Sequence, residues 1–171
     1  MARTFHKRVF GVGLAVLTAT AMSSGPAFAG TAGAQSEATV QRCVLTLGER
    51  PAGSLYNTIK SYECFTASQD RRRVPAGMVE FYKGSDFRGD VLEIDPGGGP
   101  CDSSGWGIRQ MPSGWDNQIS SYYTATWSQC TRTQAFDLAN YGGYSQTYGG
   151  TVPWVGSSLN DKITSFRWWK G

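Results

Sequence analysis

The chain has 171 residues, 16 of them Lys or Arg, 13 Asp or Glu, and a single His at position 6. Because His6 and three of the basic residues fall in an N-terminal segment that reads as removable, the remainder holds no histidine and carries thirteen basic against thirteen acidic residues. That excludes a Ser-His-Asp or Cys-His nucleophile, a His-ligated catalytic zinc and a histidine general base, and it argues against a nucleic-acid or acidic-membrane partner chosen by charge.

In chain order, residues 1–29 read as a signal peptide. Arg3, Lys7 and Arg8 are its positive start, Val9 to Met22 its apolar run, and Ala27-Phe28-Ala29 its cleavage site before Gly30. The run is too short and too interrupted by glycine for a stable membrane span, and no later segment approaches ~18 consecutive apolar residues. The expectation is a secreted protein. Gly30 to Ala38 is small and polar and reads as a disordered new N-terminus. "TVQRCVLTL" and "SYECFT" then predict two strands around the turn-forming "GERPAGS". "ASQDRRRVPAG" is the best boundary, with Arg71-Arg72-Arg73 as an exposed linker or processing site. The organisation read from this is a signal peptide (1–29), an N-terminal extension and linker (30–75) and a domain (76–171).

Four cysteines in an exported chain imply two disulfides, for which three connectivities exist. Sequence proximity favours Cys43–Cys64 and Cys101–Cys130, each pair stapling one region. On that pairing the stapled extension stands apart from the following domain. No Cys-x-x-Cys spacing occurs, so zinc and redox chemistry find no support.

Beyond the boundary, "MVEFYKGSDFRGDVLEI" alternates at Val79, Phe81 and Val91 around two glycines and predicts a hairpin. "DPGGGPCDSSGWGIRQMPSGW" is a long Gly/Pro-rich excursion. "DNQISSYY" (116–123) opens an aromatic strand, "TQAFDLANYGGYSQTYGG" starts the pattern again, and "NDKITSFRW" (160–168) closes it. No amphipathic helix of useful length appears. Short runs of β-branched and aromatic residues bounded by Gly predict an all-β domain.

The pattern is an internal repeat. Tyr82, Phe87 and Gly89 recur as Phe136, Tyr141 and Gly143 at an offset of 54, while the Asp/Asn motif recurs at 44. Here the sequence resembles the βγ-crystallin family, whose unit is a four-stranded Greek key. That unit carries an aromatic-x4-aromatic-x-Gly hairpin and a strand entered through Asn/Asp–Asn/Asp–x–x–Ser/Thr–Ser. Both signatures occur twice, in order, between about Met78 and Trp169. The resemblance implies a two-Greek-key βγ-crystallin-like sandwich with the disulfide-tied extension in front of it. Ser121 and Ser165 would each bond the folded hairpin of their own unit.

Asp/Asn side chains, carbonyls and hydroxyls are hard oxygen donors, and a flexible loop of them suits Ca2+ better than magnesium. A single copy of the motif would merely cap a turn; two in a matching frame point to a cation. The resemblance implies two sites. One would use Asn117, the carbonyl of Gln118, Ser120 and the carbonyl of Asp137. The other would use Asp161, the carbonyl of Lys162, Thr164 and the carbonyl of Lys83.

The function expected is therefore a secreted, monomeric calcium-binding protein whose fold the metal stabilises. The alternative is a secreted protease inhibitor or killer-toxin-like protein, presenting the excursion from Asp95 to Trp115 to a protein target. Glycan binding through Trp106, Trp115 or Trp154 rests on exposed-aromatic logic alone. An enzyme is not expected: besides the missing histidine, no spacing among the carboxylates picks out an acid and base pair.

Overall fold

The computed structural model describes residues 40–66 and 77–171. The segments read as a signal peptide, a small polar start and linker arginines lie outside them. Nine strands form two sheets: β1 (Arg42–Leu47), β2 (Ile59–Phe65), β3 (Val79–Gly84), β4 (Arg88–Asp95), β5 (Trp106–Ile108), β6 (Ser121–Thr124), β7 (Arg132–Phe136), β8 (Ser145–Tyr148) and β9 (Ser165–Trp169). The first sheet runs β2-β1-β4-β3-β6 and the second β5-β9-β7-β8.

This order is that of two interlocked Greek keys. Hairpin β3–β4 and the return strand β6 belong to the first key, β7–β8 and β9 to the second. The third strand of each key crosses to the other's sheet. β5 pairs with β9, and Val152 exchanges both backbone hydrogen bonds with Tyr122 of β6 at 2.9 and 3.0 Å. Neither sheet is therefore complete without the other key.

The core explains why the period-2 pattern holds. Phe81, Tyr122, Phe166 and Trp168 point inward and are fully buried. Phe166 meets Phe81 edge-on at 4.8 Å and Tyr122 at 5.0 Å between ring centres, joining the two keys. Such contacts add ~0.5–1.5 kcal/mol each beyond the area they remove from water. β4 departs from alternation, its residues Val91 to Ile94 all being buried. Its outward Glu93 is covered and bonds Arg42 at 3.1 Å, while Glu80 lies directly across on β3. Burial and the Glu80 charge push the Glu93 carboxyl up from its ordinary pKa, against the pull of Arg42.

The disulfides are Cys43–Cys64 and Cys101–Cys130. The separateness read from that pairing does not follow. β1 lies parallel to β4, Arg42 against Val91 through Thr46 against Asp95, and thus extends the first sheet. Its Cys43, Leu45 and Leu47 enter the common core. The 48–58 loop continues to the second sheet, where the Asn57 amide donates to the Gly107 carbonyl at 2.8 Å. The hairpin covers an otherwise open edge of each sheet, a place where unpaired backbone invites association. Sequence proximity identified the staple but carried no information about the neighbouring strand.

Candidate metal centre

Each folded hairpin is built by its own sequence signature. Tyr82 and Phe87 pack edge-on at 5.7 Å, and Phe136 and Tyr141 tilt together at 5.4 Å. Turning the chain inside so small a loop forces left-handed backbone at Asp86, Phe87 and Gly89, and again at Asn140, Tyr141 and Gly143. At Gly143 an added Cβ would also strike the Asp137 carboxylate and crowd Leu138 Cγ, so glycine suits the position on two grounds.

The last serine of each motif locks that hairpin. The Ser121 hydroxyl donates to the Gly84 carbonyl at 2.6 Å and accepts from the Phe87 amide at 3.1 Å. Ser165 repeats this with the Leu138 carbonyl at 2.6 Å and the Tyr141 amide at 3.1 Å. Both serines are fully buried. Ser121→Ala leaves a donor and an acceptor unmatched at ~1–3 kcal/mol each before relaxation. A loss of about 2 kcal/mol is expected in urea unfolding, and a change below 0.5 kcal/mol would show that the hairpin is held by packing alone.

One residue earlier stand the hydroxyls that the sequence offers to a cation, and here the expected grouping is corrected. Ser120 Oγ lies 2.8 Å from the Lys83 carbonyl and 3.2 Å from Asp161 Oδ1. It therefore joins Asp161 and Lys83, not Asn117 and Asp137. Thr164 Oγ1 lies 3.4 Å from Asn117 Oδ1, so Thr164 joins Asn117 instead of Asp161. The physical reason is reciprocal docking of the two motif loops. The Asn117 amide donates to the Ile163 carbonyl at 3.1 Å, and the Asp161 amide donates to Ile119 at 3.2 Å. Each second motif position is thereby set beside the other motif's hydroxyl.

The rest of each group is consistent with a surface oxygen cluster. Asn117 and Asp161 are exposed with φ of 58° and 55°, a left-handed conformation that Asn and Asp tolerate better than most residues. Gln118 and Lys162, whose carbonyls are the expected donors, follow them and are exposed. Lys83 turns its ammonium away to Asp90 at 3.1 Å and over the Trp115 ring at 5.2 Å, while its carbonyl meets Ser120. The Thr164 amide donates to the Phe136 carbonyl at 2.9 Å, as Ser120 does to Tyr82, which sets Thr164 beside Asp137. Buried oxygens of Asp137 and Asp116 have no hydrogen-bond donor among the described residues.

Hard oxygens converging with few donors fit a calcium-type cation. Ser120 has one proton for two acceptors, so one oxygen pair always faces unscreened lone pairs. Among the described residues no three Asp, Glu, His or Cys side chains cluster, so any cation here depends largely on neutral oxygens, with at most one or two carboxylates. Softer metals, which take thiolate or imidazole, find no ligands.

The excursion from Asp95 to Trp115 is anchored along its length. It contributes β5, buries Ile108, Met111 and Trp115, and is fixed by Arg50 bonding Ser104 at 2.6 and 2.8 Å. Trp115 and Trp168 are core residues, while Trp127 and Trp154 remain exposed.

The strand order and the paired hairpin–serine locks define a two-Greek-key βγ-crystallin-like sandwich with a disulfide-tied N-terminal extension. Solved structures similar to the chain are of this kind. A βγ-crystallin domain from Clostridium beijerinckii is 22% identical, covering 55% of this chain and 99% of that one, with a TM-score of 0.39. A βγ-crystallin domain from Flavobacterium johnsoniae is 18% identical over 53% and 91%, with a TM-score of 0.37. A structure described under the evolution of the eye-lens βγ-crystallin domain fold is 21% identical over 54% and 86%, with a TM-score of 0.42. No family profile and no curated protein sequence matches.

Proposed function

We propose that this is a secreted, non-enzymatic protein that binds two calcium ions between its Greek keys and is stabilised by them. One observation carries the reading: Ser120 Oγ, the Lys83 carbonyl and Asp161 Oδ1 converge from a strand, a hairpin and the opposing motif, sharing one proton. The first site comprises Asp161, Ser120 and the carbonyls of Lys83 and Lys162. The second comprises Asn117, Thr164 and the carbonyls of Gln118 and Asp137. A bound divalent ion supplies charge that ties each motif loop to the other key. The leader-like start at residues 1–29 supports export, where calcium is abundant enough for weak sites.

Calorimetric titration of the metal-free protein tests this through affinity order. The Asp161 site has a carboxylate where the other has neutral Asn117, so it is the tighter, less whatever desolvation offsets. With so few anionic ligands both fall at ~10⁻⁵ to 10⁻³ M. Asp161→Asn brings the two affinities together and Asn117→Asp strengthens the weaker one. Loss of a site in Asp116→Ala, with Asn117→Ala leaving it intact, would move the ligand to the first motif position and overturn the assignment.

A further inference from the structure

Where it meets β5, the extension builds a second feature. Asn57 clamps the edge of β5: its backbone amide donates to the Gly107 carbonyl at 2.8 Å, and its side-chain Oδ1 accepts from the Gly107 amide at 3.2 Å. The Tyr141 hydroxyl reaches across to the Leu55 carbonyl at 3.1 Å. Only glycine fits at 107, since a Cβ would clash with both the Leu55 carbonyl oxygen and Tyr141 Oη. Between this loop and β5 lies a cleft of about 490 Å³, within the ~300–1,000 Å³ range of small-molecule sites.

The lining of the cleft is uneven in a telling way. Ile59 and Pro112 supply accessible apolar surface over a floor of the buried Ile108 and Met111, and Tyr56 and Arg109 also line the cleft. The Arg109 guanidinium rests 4.5 Å from the Tyr56 ring centre, is exposed, and has no ion pair among the described residues. A second cation, Arg167, lies over Tyr141 at 5.7 Å. A guanidinium stacked on a ring keeps its donor edge free and pre-oriented for a two-oxygen anion. The neighbouring hollow at Arg50 contrasts with this, because Asp102 sits there and matches the charge.

We propose that this cleft binds a carboxylate carried on an apolar body, with Arg109 gripping the carboxylate and Ile59 and Pro112 covering the apolar part. The site uses none of the residues proposed to bind calcium. Two sources share this chemistry: the C-terminus of a peptide ending in an apolar residue, and a free fatty carboxylate.

The test titrates the full chain, followed by amide NMR shifts, with N-acetyl-Leu-Phe, its C-terminal amide, and octanoate. At least one carboxylate binds, shifting the amides of residues 56–59 and 108–111, and the amide form binds at least tenfold more weakly than the acid. Binding of the peptide acid alone assigns a chain terminus, and binding of octanoate alone a free amphiphile. Arg109→Gln weakens binding at least tenfold with an unchanged melting temperature, and Arg109→Lys, which keeps charge but not the fork, falls between. Should Arg109→Gln melt early, Tyr56→Leu replaces it and weakens binding several-fold by freeing the guanidinium. No binding by either carboxylate, equal binding of acid and amide, or indifference to Arg109 would overturn the proposal.

Discussion

Adding calcium to the metal-free protein at a hundredfold excess over its dissociation constant raises the melting temperature by about 5–10 °C for each site filled. Ligand that binds the folded chain alone contributes ~2.7 kcal/mol at that excess. For a protein of this size each kcal/mol moves the midpoint by ~2–4 °C. The unfolded chain cannot compete, because its donors come from segments far apart in sequence: Lys83, Ser120 and Asp161 meet only when both keys have closed. Magnesium at equal concentration does much less, since it demands near-octahedral geometry and parts reluctantly with water. Differential scanning calorimetry after chelator treatment measures both. An unchanged curve in 10 mM calcium would remove the metal while leaving the sandwich intact.

Phe166→Ala lowers stability by about 3–5 kcal/mol, the largest effect expected of any single substitution considered. Phe166 is wholly buried, and its ring contacts Phe81, Tyr122 and Trp168 at 4.8, 5.0 and 5.7 Å between centres. Phe81 and Tyr122 belong to the first key and Phe166 to the second, so the cavity opens where the keys meet. Close-packed aromatic walls relax little into such a void. Trp154→Ala is the control: that ring is 55% exposed, and its loss moves stability by no more than ~0.5 kcal/mol. Urea unfolding separates the two, and a Phe166→Ala cost under 1 kcal/mol would mean the core is not organised around this cluster.

Much of the fold was legible because it is written twice. The 54-residue offset of Tyr82, Phe87 and Gly89 maps onto equivalent hairpins, with left-handed residues at equivalent places. Ser121 and Ser165 make the bonds that the repeat implied. The extension was not legible in the same way. Nothing in "TVQRCVLTL" reveals that it lies parallel to β4, since a strand's pattern reports which face is buried and not which neighbour it joins.

The exchanged hydroxyls are a different kind of miss, because a signal was present. If Ser121 bonds Gly84 of its own hairpin, Ser120 one residue earlier must lie near Lys83 of that hairpin. It therefore cannot share a site with the Asp137 carbonyl of the other. The sequence also carried no cue to the Arg109 cleft, whose walls come from the 48–58 loop and β5, about fifty residues apart.

In the proposed function each calcium site draws its hydroxyl from the opposing motif. Amide NMR titration of Ser120→Ala with calcium tests it most directly, the unsubstituted protein first showing saturable shifts at both motif loops. Ser120→Ala abolishes or strongly weakens the calcium response at Asp161 and Lys162. The response at Asn117 and Gln118 is retained. Loss at Asn117 and Gln118 with Asp161 and Lys162 unaffected, or no response at either loop of the unsubstituted protein, would contradict it.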